Sequence, residues 1–372
     1  MSSAQSIRSA ALGAGLTMLL ACGSGAERQA SMGGSIRLEP IATLGTEEGP
    51  GALRGGPMAA MGEVRRYIVT LPDVSGEPPF VFDSAGNFVR RLGTVGEGPG
   101  EFVQPGAVVV DDHDSVHIFD KKLGRVTVFD PALREIRAVT GVPSRYDAIR
   151  LGDGDYVVNG DPEGRRPFTR YAPDGRRLTS FGDTTGSTTR LSAAWLDRVM
   201  TPDGHGGFWS APRRFRLELT HWSSSGERLG KLQPRAEWFE PYDSLREITP
   251  YSAPSAEVTG LWVDGNGHVW ILGRTSDPHW ARGLGSPVKT EGGRETYPVA
   301  DYRGVFDAVL QVVDLTSGEM LATQIAPDSI WTLEIVAPGT VASPRRSDLG
   351  WWRLGIYRVT LDAAASAPPD GA

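Results

Sequence analysis

Apolar positions in this chain come in short runs rich in Val, Ile, Phe and Trp, each cut by an Asp/Gly or Pro turn. The stretch Gly96–Phe129 sets the pattern: a Gly/Pro loop, the run Ala107–Val110, a turn at Asp111–Ser115, Val116–Phe119, a charged loop, and Arg125–Phe129. Such runs predict antiparallel strands in a meander rather than helices. The unit repeats. Inner strands, each ending in a turn, are predicted over 58–65, 108–114, 148–155, 198–206, 261–268 and 333–340. Second strands follow at once over 66–72, 115–121, 155–162, 206–212, 268–274 and 340–346. Third strands fall at 80–86, 126–132, 168–175, 219–226, 310–318 and 355–362, and a fourth run follows the first five of these.

Equivalent positions recur at 47 residues (Phe82 to Phe129), 42 (Pro131 to Pro173) and 51 (Gly175 to Gly226). A four-stranded unit of roughly 40–50 residues is a propeller blade. The sixth unit has no fourth strand after Leu361, and Ile36–Leu44 carries the missing pattern at the other end of the chain. The expectation is an all-β, six-bladed β-propeller over 35–361. Its blades are four-stranded and antiparallel, and the N-terminal strand pairs with Gly355–Leu361 to close the last one. Ile118, Val128, Trp262 and Trp270 are predicted to be core.

Composition agrees. Gly 47 and Pro 27 make about a fifth of the 372 residues turn-formers, against a usual ~12%. The net charge of −7 lacks the basic footprint of a nucleic-acid binder. Residues 1–22 combine Arg8 with an apolar stretch, Ser9 to Ala21, too short to span a bilayer, and read as a signal peptide. The segment 23–34 is tether-like, and the tail 362–372 is expected to be disordered. One cysteine forms no internal disulfide, so the core stands on packing.

Two resemblances add to this. Leu19-Leu20-Ala21-Cys22 resembles the bacterial lipobox, which implies cleavage before Cys22, lipidation of its sulfur and a place in the cell envelope, with membrane contact through the lipid anchor. Gly23 is not the Asp that marks inner-membrane retention in that family, so the resemblance implies the outer membrane in a two-membrane host. Gly98-Pro99-Gly100-Glu101-Phe102, Pro105, Asp120, Arg125 and Val128-Phe129-Asp130 resemble the NHL repeat of six-bladed propellers, with Leu123-Gly124 where the Asn-His of that repeat would stand. This resemblance implies the fold and carries over no catalytic residue.

In a four-stranded meander the loops between strands two and three, and from strand four to the next blade, share one face. That face carries all the excess length, at about Gln233–Glu257 and Thr275–Val305, and loops this long are usually functional. It also collects Arg165, Arg166, Arg213, Arg214, Arg216, Arg345 and Arg346, with Trp238, Tyr242 and Trp280 as candidate aromatic platforms. Arginine forks suit carboxylate or phosphate. The expected partner is an unidentified protein or an anionic or sugar-like ligand; the bland alternative is rim charges that pair among themselves.

Some six-bladed propellers are metal-dependent lactonases or lyases with ligands in the central tunnel. The inner strands would begin near Gln104, Asp147, Arg190 and Glu257, which is mixed in sign and no carboxylate ring. His113 and His205 fall in tight turns on the far face, while His117, His221 and His268 fall in strands. No catalytic residue, metal or cofactor is therefore assigned. Two readings stay open: a binding or protein-interaction module, and a lactonase- or lyase-type enzyme.

Overall fold

A computed structural model describes residues 34–362 except 63–65, 144–146, 161–162 and 184–192. The signal peptide, Cys22, nearly all of the tether, Arg190 and the tail beyond Asp362 lie outside the described residues.

Six four-stranded antiparallel sheets are built from the predicted runs. Their inner strands are Met58–Met61, Pro105–Val110, Ala148–Arg150, Arg198–Pro202, Glu257–Val263 and Glu334–Ala337. Each inner strand touches the next around the set, the last touching the first, so the sheets form a ring around a central tunnel. In the sixth sheet the order runs from Ser35–Leu44 to Trp352–Asp362, Thr340–Arg346 and Glu334–Ala337. Nine residue pairs join the first strand to the last, from Ser35 opposite Asp362 to Leu44 opposite Leu354. The fold is a six-bladed β-propeller, closed head strand to tail strand.

Alternation along the strands explains the packing. Second and third strands present apolar side chains on both faces because a neighbouring blade covers each face. Val116–Asp120 and Arg125–Phe129 are buried throughout. Outer strands such as Glu135–Thr140 are mostly exposed and polar. Ile118, Val128, Trp262 and Trp270 are all buried. Trp262 and Trp270 stack at 4.8 Å and join Leu272, Leu310 and Val341 across the seam between blades five and six.

Turns between third and fourth strands use one device repeatedly. Gly86 and Gly175 both adopt φ +89° with their Cα against the backbone of the preceding blade, where a Cβ would lie 2.5 Å and 2.3 Å from the Thr43 and Thr140 carbonyl oxygens. Only glycine fits there.

The residues behind the NHL resemblance form a structural clasp. Buried Asp120 accepts the amides of Val103 and Gln104 on one oxygen and those of Lys122 and Leu123 on the other. Arg125, also buried, donates to the carbonyls of Glu97 and Glu101. Together they pin the Gly/Pro loop to the second and third strands of its blade.

His117 is the buried histidine of this set. Its two ring nitrogens lie 2.9 Å from the Tyr156 hydroxyl and 3.1 Å from Asp111 Oδ2. Asp111 is itself paired with Arg150. Burial pushes the imidazole down from its ordinary value to about 4, against the pull of the Asp111 hydrogen bond. The folded chain thus holds His117 neutral where the unfolded chain protonates it. Stability from this group is complete above about pH 6.5 and is lost as pH falls toward 4, a loss of about 3 kcal/mol at most. Asp147 and Glu334, raised to about 7, act with the opposite sign. The measurement is therefore a difference: denaturant unfolding of wild type and His117→Gln between pH 4 and 7. The gap between them is expected to shrink as pH falls; a constant gap refutes the assignment.

Candidate ligand-binding face

At the loop face five of the six inner strands begin at, or directly after, a polar residue: Gln104, Asp147, Asp197, Glu257 and Glu334. The backbone carbonyls of Gln104, Asp147 and Asp197 each accept the amide that ends the neighbouring second strand, from Lys121, Asn159 and Arg213. Glu257 and Glu334 open the inner strands of blades five and six. The position expected of Arg190 is filled by Asp197, which directly precedes the inner strand Arg198–Pro202, a strand that begins where it was predicted. Four successive blades therefore bring carboxylates to the mouth: Asp147, Asp197, Glu257 and Glu334. The residue expected at blade four is corrected from Arg190 to Asp197; four acids on six blades do not make a closed carboxylate ring.

Three arginines answer them. Arg214 donates to Glu257 at 2.8 Å and to Asp197 at 3.1 Å. Arg274 donates to the other oxygen of Glu257 at 2.7 Å and lies over the Phe306 ring at 4.4 Å. Arg213 comes no closer than 3.8 Å to Asp197, and its Nε is buried without a partner. Burial works to raise the Glu257 carboxyl, but Arg274, Arg214 and Arg213 outweigh it and hold the carboxyl below its usual range. Burial wins at the others. Asp197 is raised, and Asp147 and Glu334 are pushed up to about 7, with Arg213 acting against the shift in each case. The mouth is a nearly balanced polar network with Arg213 at its centre. Among the described residues no group of three His, Cys, Asp or Glu side chains is placed to hold a metal ion.

The two long insertions fold against each other. Trp280 Nε1 donates to the Thr249 carbonyl at 3.0 Å, and Arg294 pairs with Glu247. Ile248, Trp280, Leu284 and Val299 pack with Phe306 and Trp331 into a cluster that reaches Trp352 of blade six. The second insertion carries its own two-stranded ribbon, Val288–Lys289 with Glu295–Thr296. The outcome is a wall over blades five and six. Its outer surface exposes Leu245, Tyr251 (93%), Val288 and Tyr302, with Leu349 on the neighbouring loop.

The predicted binding residues are not one cluster. Trp238 and Tyr242 are buried, at 9% and 8% exposure. Trp238 donates to Gln311 at 2.7 Å and Tyr242 to the Ala256 carbonyl at 3.0 Å. They are the packed foot of the wall, and their expected role as platforms is corrected. Trp280 is half-buried at the joint between the insertions. Arg165 and Arg166 are exposed on blade three, Arg166 donating to the Gly182 carbonyl. Arg345 and Arg346 are exposed on blade six, across the ring, with Arg346 5.0 Å from the Trp352 ring centre. Arg213 and Arg214 belong to the mouth. Asp197, Arg274 and Glu334 were missed. The signal for them is register: each stands at the mouth end of an inner or second strand.

These features define a propeller with an elaborated loop face. A protein-family model, DUF5128, a 6-bladed beta-propeller, matches residues 65–138, the greater part of blades one and two. No curated protein matches the chain in sequence. Among solved structures, a member of the DUF4221 family from Bacteroides vulgatus is 7% identical with a TM-score of 0.55, over 88% of this chain and 99% of that one. A Bacteroides fragilis protein is 11% identical with a TM-score of 0.51, over 87% and 95%. Virginiamycin B lyase from Staphylococcus aureus is 11% identical with a TM-score of 0.46, over 87% and 99%. At these identities the likeness to the two Bacteroides proteins is one of fold alone.

Proposed function

We propose that the protein is an envelope-anchored propeller that binds a protein partner or an anionic ligand through its loop face. The observation that carries this reading is the wall: two insertions on one face, locked together by Trp280 and by the Arg294–Glu247 pair, that hold large apolar side chains out in solvent. A folded, apolar-studded surface on loops is a common site of association. The lipidated Cys22 of the lipobox resemblance supplies the anchor, and the loops supply the contact.

The test is capture from an envelope fraction by immobilised wild-type protein and by a variant with Leu245, Tyr251 and Val288 each replaced by Ser. One stable partner, lost in the variant while its melting temperature is kept, is the expected result. Equal capture by both forms refutes the reading. Metal analysis of the purified protein addresses the competing enzyme: a stoichiometric divalent ion would replace the binding-module reading with a tunnel-centred one.

A further inference from the structure

Phe215, in the loop after the second strand of blade four, has a left-handed backbone with φ 77°. A bulky residue keeps that conformation only where its surroundings enforce it. Phe215 stacks on Trp195 at 3.9 Å, and its carbonyl accepts the Tyr242 amide at 2.9 Å. Its two neighbours part company. Arg214 goes to the mouth network, whereas Arg216 lines a cleft between blades three and four together with Arg198, Ser210, Glu218 and Asp183.

The charges in this cleft do not close on themselves. Arg198 is 8% exposed. Its Nη1 donates to the carbonyls of Trp195 at 2.7 Å and Asp197 at 3.1 Å. Its Nε and Nη2 have no acceptor among the described residues, and Arg216, half-buried, has no hydrogen bond or ion pair among them. The two acids form their ion pairs elsewhere, Glu218 with Lys231 at 2.8 Å and Asp183 with Arg228 at 2.7 Å, and act on Arg198 and Arg216 only at longer range. Ser210 Oγ accepts from Trp222 Nε1 at 2.9 Å, which leaves its own hydrogen free to donate. Arg198 is thus only partly satisfied, and a second guanidinium beside it adds repulsion. Burial and Arg216 together push Arg198 down to about 10, against the pull of Asp197, Glu218 and Asp183, so Arg198 remains charged at neutral pH.

We propose that this cleft binds a small oxyanion group, a carboxylate or a phosphate, held between the free edges of Arg198 and Arg216 with Ser210 as a third donor. Planar guanidinium edges match such oxygens, and charge assistance makes the bonds strong. The cleft is shallow and open to solvent, so only a charged end-group can enter and the body of a larger ligand stays outside. This deepens the reading of the loop face as the working face, and rests on it for the larger ligand.

The experiment is calorimetric titration of the full chain with inorganic phosphate and, separately, with acetate. Saturable one-site binding of at least one anion is expected, weakened about tenfold or more in Arg216→Ala and partly kept in Arg216→Lys. Arg216 is the residue to change first, because it makes no hydrogen bond among the described residues; Arg198→Met serves as the second variant, with its fold checked by circular dichroism. Tighter phosphate binding identifies a phosphate-bearing ligand, and tighter acetate binding a carboxylate. Binding that is absent from wild type, or unchanged in Arg216→Ala, overturns the proposal. Partner capture that fails while anion binding persists sinks the wall and leaves the cleft; the reverse sinks the cleft alone.

Discussion

A chain that begins at Gly45 will not fold to a monomeric ring. Removing Ser35–Leu44 strips nine paired residues from the last blade and uncovers Trp352–Asp362 as a long edge strand. It also removes Ile36 and Leu44, buried at 4% and 0% exposure, from two separate seams of the core. Those two side chains alone contribute about 3–6 kcal/mol, a large share of a total that is usually about 5–15 kcal/mol. The exposed edge then recruits other chains. Size-exclusion chromatography and thermal melting should show aggregates without a cooperative transition. A permuted chain separates closure from mere loss of sequence. Ser35 is paired with Asp362, so a tight turn can join them and new ends can open at Gly45. That permutant is expected to melt near the wild type. A stable monomer from the truncated chain would contradict the account.

Glu257→Ala is expected to cost about 3 kcal/mol. Glu257 is the acid shared by Arg214 and Arg274, and its side chain is 13% exposed. Truncation leaves two guanidiniums, each less than a quarter exposed, without their strongest partner. Breaking one side of a buried pair costs about 3–5 kcal/mol, and the partial exposure of the arginines reduces it. Arg274 also covers Phe306 and lies 5.8 Å from the Trp331 ring centre, so the loss should spread to the foot of the wall. Urea unfolding measures the total. Faster amide exchange at Val305 and Phe306 reports the local part. The double variant Glu257→Ala, Arg214→Met should recover part of the loss, because one stranded charge is gone. A cost below about 1 kcal/mol for Glu257→Ala would show that the mouth network does not hold the wall.

The architecture was legible because its signal is local and repeated. Val128, Trp262 and Trp270 sit at fixed offsets from Asp/Gly turns, and the missing fourth strand of the last blade could be read at Ile36–Leu44 by its pattern alone. The face that carries the insertions followed from meander geometry. Side-chain direction inside a loop did not. Trp238 and Tyr242 look like exposed aromatics in a long polar segment, yet Gln311 and the Ala256 carbonyl draw them inward. The carboxylate at blade four was missed because Arg190 was assigned to the entry of a strand that begins, as its pattern predicts, at Arg198, with Asp197 directly before it. Arg213, Arg214 and Arg216 look alike in sequence; the left-handed backbone at Phe215 gives them different surroundings.

The pairing of Ser35 with Asp362 also sets which side of the disc the proposed lipid anchor would face. Strand direction puts Ser35 on the side of the tight turns, whereas Leu44 reaches the opposite rim. A stalk that leaves through residue 34 therefore departs from the underside. An acyl chain at its far end would press the plain side toward the bilayer and turn the Tyr251 wall, the mouth and the Arg216 cleft outward, like a dish on a short mast, open to whatever diffuses past.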